Sequence, residues 1–369
     1  MSQDVSFTSP SMYVEGNGLI LRCKDYIKKL GSRAIILTSN RLNKMIGSRL
    51  SNYLQSNGVS NKVVIFGGQS SMKEITRIAK LATEFQAQVI IGLGGGRVLD
   101  SAKATANKIH IHVAIFPSLA STDSPCTRLS VIYNDDGSFS HYWFYNSNPD
   151  LVLVDTKLLT DAPKRFLVSG IGDALATNVE AQAVEQSHGD NLIGKKQTLF
   201  GLAIAQKCED TLFKYGKEAV TCVGVNADTT AVNKVIEANI LMSGLGAESG
   251  GLAAAHALYN GTTAYGKIPR MHGEIVAFGL LTQLFLEGAG KYRLNKYLDF
   301  ELSVGLPTNF KELGVPTISD EDLMQIAKVA DSPKDTMTEM PMKITPYMIV
   351  QAMRGANAYS RMYEAEHRC

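Results

Sequence analysis

Asp173 in SGIGDALAT, His256 in GGLAAAHALYNG and His272 in MHGEIVAFG combine donor chemistry with alanine- and glycine-rich surroundings. A carboxylate or imidazole in such company needs a partner. Taken singly, each reads as a hydrogen-bonded core side chain, with Asp173 at the head of an apolar helix. Taken together, one carboxylate and two imidazoles entering helices at glycine-rich starts form a candidate metal set. Spacing alone leaves both readings open. The other histidines offer less. His110 and His112 in KIHIHVAIF share a face if both are in a strand, but they lead into it from its exposed end, where solvation accounts for them. His141, His188 and His367 lie in polar stretches and read as surface residues.

The stretch IIGLGGGRVLDSAKA places Gly92, Gly94, Gly95 and Gly96 between a strand-like run and a helix-like run. A glycine turn at a helix start bares backbone N–H groups to an anion, and the positive end of the helix adds to the attraction. The four glycines are therefore expected to cradle a pyrophosphate, with Asp100 in the first helical turn. The pattern G-x-G-x-x-G fails, because its third glycine falls on Arg97 or Leu99, and no G-K-[ST] follows. A tight strand-to-helix turn without a ligand is the competing reading. The loop FPSLASTDSPCTRLSVIY follows the next strand and carries Ser118, Ser121, Thr122, Asp123, Ser124 and Thr127. Its strand ends toward the same crevice, where open α/β sheets bind ligands.

These groups need a scaffold, and the first half supplies one. Ala34–Leu37, Lys62–Phe66, Val89–Leu93 and Val113–Phe116 read as strands buried on both faces. Met72–Phe85 carries one apolar helical stripe, opened by a capping box at Ser71 to Glu74. Strand-helix alternation of this kind implies right-handed βαβ units and a parallel, Rossmann-like sheet. Leu129–Phe144 reads as a hairpin around Asn134-Asp135-Asp136-Gly137, and Leu151–Asp155 as a further strand. From Pro163 onward helical patterns take over. The expected division is an α/β domain over 1–160 and an all-α domain over 161–369.

A near balance of 37 Lys+Arg against 35 Asp+Glu argues against a nucleic-acid surface built on bulk charge. No apolar run reaches the ~18 residues of a membrane helix, and the first residues show no signal-peptide pattern. The five cysteines, Cys23, Cys126, Cys208, Cys222 and Cys369, are scattered without C-x-x-C and read as reduced thiols of a cytoplasmic protein.

GLGGGRVLDSAKA, STDSP, GIGDALAT, GGLAAAHALYNG and HGEIVAFG resemble, in order and over nearly the whole chain, the glycerol dehydrogenases of the iron-containing (group III) alcohol dehydrogenase family. The resemblance implies a dehydroquinate synthase-like architecture, with an NAD-binding domain followed by a helical domain holding one divalent metal. It implies Asp173, His256 and His272 as metal ligands. It places the cofactor on Gly94, Gly95, Gly96, Arg97, Val98, Leu99 and Asp100, and on Ser118, Leu119, Ala120, Ser121, Thr127, Leu129 and Tyr133. Asp123 matches the substrate-binding aspartate. Zinc is the implied metal, and the donor set also suits Fe²⁺. A small polyol is the implied substrate and a homo-oligomer, in relatives often an octamer, the implied assembly.

The chain departs from the pattern at three points. Ser39 stands where relatives carry an aspartate for the adenosine ribose, with Arg41 two residues on, which leaves NADP open beside NAD. Tyr259 stands where relatives usually have a second histidine, and Met337-Thr338-Glu339 replaces a late I-H-N motif. Three other readings remain: a reductase of small 2-oxo acids or aldehydes on the same scaffold, a dehydroquinate synthase-like lyase, and a non-catalytic NAD-binding protein. The lyase would need basic residues for a phosphorylated acid, and the metal-set segments offer little beyond Lys267 and Arg270.

Overall fold

In the computed structural model, which describes residues 4–367, six strands of the first half form one parallel sheet. They are β1 (Tyr13–Gly16), β2 (Arg33–Thr38), β3 (Ser60–Ile65), β4 (Val89–Gly94), β5 (His112–Pro117) and β8 (Leu151–Asp155), in the order β1-β8-β5-β4-β2-β3. Side chains of alternate parity line each face. Ala34, Ile36, Val89, Ile91, Leu93, Ala114, Phe116, Leu151 and Leu153 share one core with Ile27, Leu50 and Leu54 of the flanking helices. The other face receives helix Gly96–Ile109, and here glycine is a packing requirement. A Cβ on Gly92 would stand 2.7 Å from Ala102 Cβ. Helix Met72–Glu84 starts at Ser71, whose Oγ accepts the Glu74 N–H at 3.4 Å. The expected hairpin is β6 (Leu129–Tyr133) paired antiparallel with β7 (Phe139–Phe144).

Two strands differ from the sequence reading. KVVIF was expected to be buried on both faces, yet β3 is an edge strand in which Val64 alone is buried. The opposite edge, β1, is four residues long, too short for its alternation to register in the sequence. The connections from β2 to β3 and from β4 to β5 run outward in opposite directions. This opens a crevice at the carboxyl ends of β2 and β4. Ser39 directly follows β2, Gly95 follows β4, and Ser118 follows β5.

Residues Thr8–Ala162 form one compact unit; those from Pro163 onward form a second, joined by the described residues before Thr8. Val5 bridges to Lys196, and the Ser6 N–H donates to Lys196 O at 3.1 Å, which ties this segment to the helical unit. Helix Lys164–Ser187 is buried along nearly its whole course, as befits an element apolar all round. Asp173 stands well inside this helix, not at its head. The flanking GIG misled because interior glycine ordinarily weakens a helix. Here it admits a neighbour: a Cβ on Gly172 would strike Gly273 O, and one on Gly273 would strike Ser169 O. This glycine-on-glycine crossing seats the first turn of helix His272–Leu286 against Asp173.

Among the described residues Cys23, Cys126, Cys208 and Cys222 form no disulfide; Cys369 lies outside them. Among the described residues no helix is long and apolar enough to cross a membrane.

Substituting Gly273→Ala should destabilise the protein by about 1–3 kcal/mol or more, read as a lower urea midpoint. Gly290→Ala, whose Cβ meets nothing within 4 Å, gives up only the preference for glycine before helix Lys291–Val304 and should cost at most about 1 kcal/mol.

Candidate functional site

Asp173, His256 and His272 converge. Each offers one ligand atom, and these atoms all lie within 4.8 Å of one another. Asp173 Oδ1 is 2.9 Å from His272 Nε2 and 3.2 Å from His256 Nε2. The carboxylate is 1% exposed. Burial alone would raise its pKa, but His272 and the hydrogen bonds from both imidazoles hold it below the usual carboxylate range. Three helices position the set: Lys164–Ser187, Ala254–Tyr265 and His272–Leu286.

Glu180, which the sequence reading passed over, holds His256 from behind. Its Oε2 lies 2.6 Å from His256 Nδ1, and its Oε1 accepts the backbone N–H groups of Ala253 and His256, each at 2.9 Å. Burial would depress the His256 imidazole, but Glu180 and Asp173 drive its pKa well above the ordinary value. Glu180 lies seven residues, about two turns, after Asp173 on one helical face. A carboxylate on the far nitrogen fixes the tautomer and plane of a metal-binding histidine. The arrangement fits a divalent cation: it joins two buried carboxylates and two imidazoles. The signal was available as a second acid in an apolar helix.

At the start of helix His272–Leu286, Glu274 accepts from the Met271 N–H at 2.9 Å and from Arg165 Nε and Nη2, both at 2.7 Å. The turn that presents His272 is thereby clamped to helix Lys164–Ser187.

The glycine run divides by role. Gly92 and Gly94 make room for helix Gly96–Ile109, since a Cβ on Gly94 would lie 2.5 Å from Val98 Cβ. Gly95 borders Leu119 at 3.3 Å, and nothing lies within 4 Å of a Cβ on Gly96. Packing thus accounts for Gly92 and Gly94 but not for Gly96. No side chain caps this helix. Val98 and Leu99 turn their N–H groups to Gly95 O, at 2.9 and 3.2 Å, and their side chains inward. The N–H groups of Gly96 and Arg97 are those that helix geometry leaves for an anion.

Asp100 falls in the second turn, not the first, and is buried. It lies 3.1 Å from Lys103 Nζ and accepts from Ser124 Oγ at 3.1 Å and Val131 N–H at 3.3 Å. Burial outweighs these partners and raises its pKa. Buried Lys103 donates onward to the carbonyls of Ser124 and Leu129. This Asp100–Lys103 pair, missed in the sequence although the spacing is i, i+3, fastens the loop after β5 to the glycine turn.

Ser118 N–H adds a bond to Gly94 O at 2.9 Å. Leu119, Ala120, Ser121 and Asp123 lie on that loop; Thr127 is buried with its Oγ1 donating to Ser124 O at 3.2 Å. The Arg97 guanidinium carbon sits 5.4 Å from the centre of the Tyr133 ring. Ser39 Oγ caps the next helix by accepting the Leu42 N–H at 3.2 Å, and Arg41 is exposed beside it. His110 ends a helix in the left-handed region while His112 begins β5, exposed and 2.9 Å from Asp150, so the two share no strand face.

Comparison with known proteins bears on the whole chain. A family model described as iron-containing alcohol dehydrogenase matches residues 10–156. A glycolaldehyde reductase of Halobacterium salinarum is 41% identical over 96% of this chain and 98% of its own length. A glycerol dehydrogenase of Thermotoga maritima is 41% identical over 96% of this chain and 97% of its own. The crystal structure of glycerol dehydrogenase from Schizosaccharomyces pombe superposes with a TM-score of 0.96 at 38% identity, covering 99% of this chain and 93% of that one.

Replacing Glu180 by Gln should weaken zinc binding by about 10–100-fold, measured by competition with a chromophoric chelator.

Proposed function

Because the chain belongs to the iron-containing alcohol dehydrogenase family, we propose that it oxidises glycerol, or a related vicinal diol, at the secondary hydroxyl to the hydroxyketone. The chain is an oxidoreductase. In this reading NAD accepts the hydride, and one divalent cation, zinc in preference to iron, is held by Asp173, His256 and His272. The observation that carries it is the convergence of those three donors within 4.8 Å. When bound, such a cation supplies the Lewis acidity that favours loss of the alcohol proton.

The chain's own residues do the rest. Asp173 and Glu180 supply the negative charge that retains the cation and orients His256. The N–H groups of Gly96 and Arg97 grip the cofactor pyrophosphate, and the loop from Ser118 to Asp123 closes over the cofactor, with Asp123 accepting hydrogen bonds from substrate hydroxyls. The cofactor role thus falls to 1–160 and the cation to 161–369. The protein acts in the cytoplasm as a homo-oligomer, an octamer by analogy.

NADH should accumulate with glycerol, stop after exhaustive chelation, and return on adding zinc; undiminished turnover by metal-free protein would overturn the reading. Ser39→Asp should shift preference from NADP toward NAD by about tenfold or more, because a carboxylate repels a 2′-phosphate. Kinetic constants for both cofactors measure it.

A further inference from the structure

The two imidazoles of the site are held by different means. Glu180 fixes His256 at Nδ1 and at its backbone N–H. His272 is the first residue of its helix, with its side chain 25% exposed. Among the described residues its Nε2 faces Asp173 and its Nδ1 has no hydrogen-bond partner. The last torsion of an imidazole is broad, so one bond leaves the ring free to pivot. Tyr259 packs against it. The two ring centres are 4.1 Å apart with planes at 74°, an edge-to-face contact. The His256 ring lies 5.4 Å away at 47°.

We propose that Tyr259 is a positioning residue that sets the plane of His272 for cation binding, through its ring and not its hydroxyl. The inference rests on reading Asp173, His256 and His272 as a cation site. Tyr259 follows His256 by three residues, so both project from one helical face. That helix is anchored nearby: Asn260 Nδ2 donates to both oxygens of Asp335, each at 3.1 Å, and Thr336 Oγ1 donates to Ala253 O at 2.7 Å. His272 would offer Nε2 to a cation in place of its hydrogen bond with Asp173, which would leave the ring contact as the protein's hold on the His272 plane.

Charge explains why a ring serves here and a carboxylate serves at His256. Asp173 and Glu180 already place two negative charges around two imidazoles, which a divalent cation balances. A third carboxylate, behind His272, would leave the buried set negative. An aromatic edge orients without adding charge.

The test compares Tyr259→Phe with Tyr259→Leu in full-length, metal-stripped protein titrated with zinc against a chromophoric chelator and with cobalt by absorption spectroscopy. Phe should keep zinc affinity within about twofold and leave the cobalt spectrum unchanged; Leu should bind zinc about tenfold more weakly and alter the cobalt bands. If Leu fails to fold, Tyr259→Met replaces it with the same expectation. Parental affinity and spectrum in Leu or Met would overturn the proposal. So would loss of affinity in Phe, which would assign the effect to the hydroxyl. Failure of the parent protein to bind zinc or cobalt would overturn the cation site itself, a separate result.

Discussion

A carboxylate withdrawn from water must be met by positive charge, and Asp173 imposes that requirement on the whole helical unit. At 1% exposure it has lost its hydration, and an unpaired charge in such a place costs several kcal/mol. The neighbours the chain supplies are two imidazoles, and one of these leans on a second buried carboxylate, Glu180. With neutral imidazoles, Asp173 and Glu180 give the cluster two buried negative charges. Glu180 and Asp173 are the reason burial fails to depress the His256 pKa. Two buried carboxylates are thus a demand for positive charge, which the proposed divalent cation would meet.

Meeting that demand requires three helices to come closer than ordinary side chains permit, and small residues make this possible. Gly172 and Gly273 cross with backbone on backbone. A Cβ on Gly279 would lie 2.6 Å from Ala255 O, and one on Gly250 would lie 2.8 Å from Ala181 Cβ. The alanine- and glycine-rich composition is therefore a geometric necessity. It brings backbones together so that short side chains such as Asp173 can reach partners on other helices. The Arg165–Glu274 pair then holds the entry turn to the same helix, so the site rests on rigid elements and not on loops.

What could be read from the chain follows from the same physics. Central strands announce themselves because both faces are buried, as with Val89–Gly94. Edge strands do not: β3 keeps polar residues on its open side, and β1 is too short. Asp173, His256 and His272 were conspicuous as polar residues in apolar runs. Their shared geometry was not legible, because it depends on helix crossings between residues 83 and 99 positions apart. Glu180 and the Asp100–Lys103 pair escaped for another reason. Charged residues in helices usually face water, and only the packing reveals that these are buried.

The glycine turn illustrates how one residue type answers to two different constraints. Gly92 and Gly94 are fixed by the protein's own packing, whereas a Cβ on Gly96 would meet nothing within 4 Å and one on Gly95 only Leu119. A motif that counts glycines cannot separate them. The separation matters for recognition, because the N–H groups of Val98 and Leu99 are already committed to Gly95 O. In the proposed reading, two N–H groups and one helix end would make a modest grip on a pyrophosphate, blind to the rest of the dinucleotide. Discrimination between cofactors would then fall to the other wall of the crevice, after β2. There Ser39 spends its hydroxyl on capping a helix and Arg41 is exposed. With Ser39 in place of a carboxylate after β2, no charge at that position would exclude a 2′-phosphate, and in the proposed reading the choice of cofactor rests on weaker contacts.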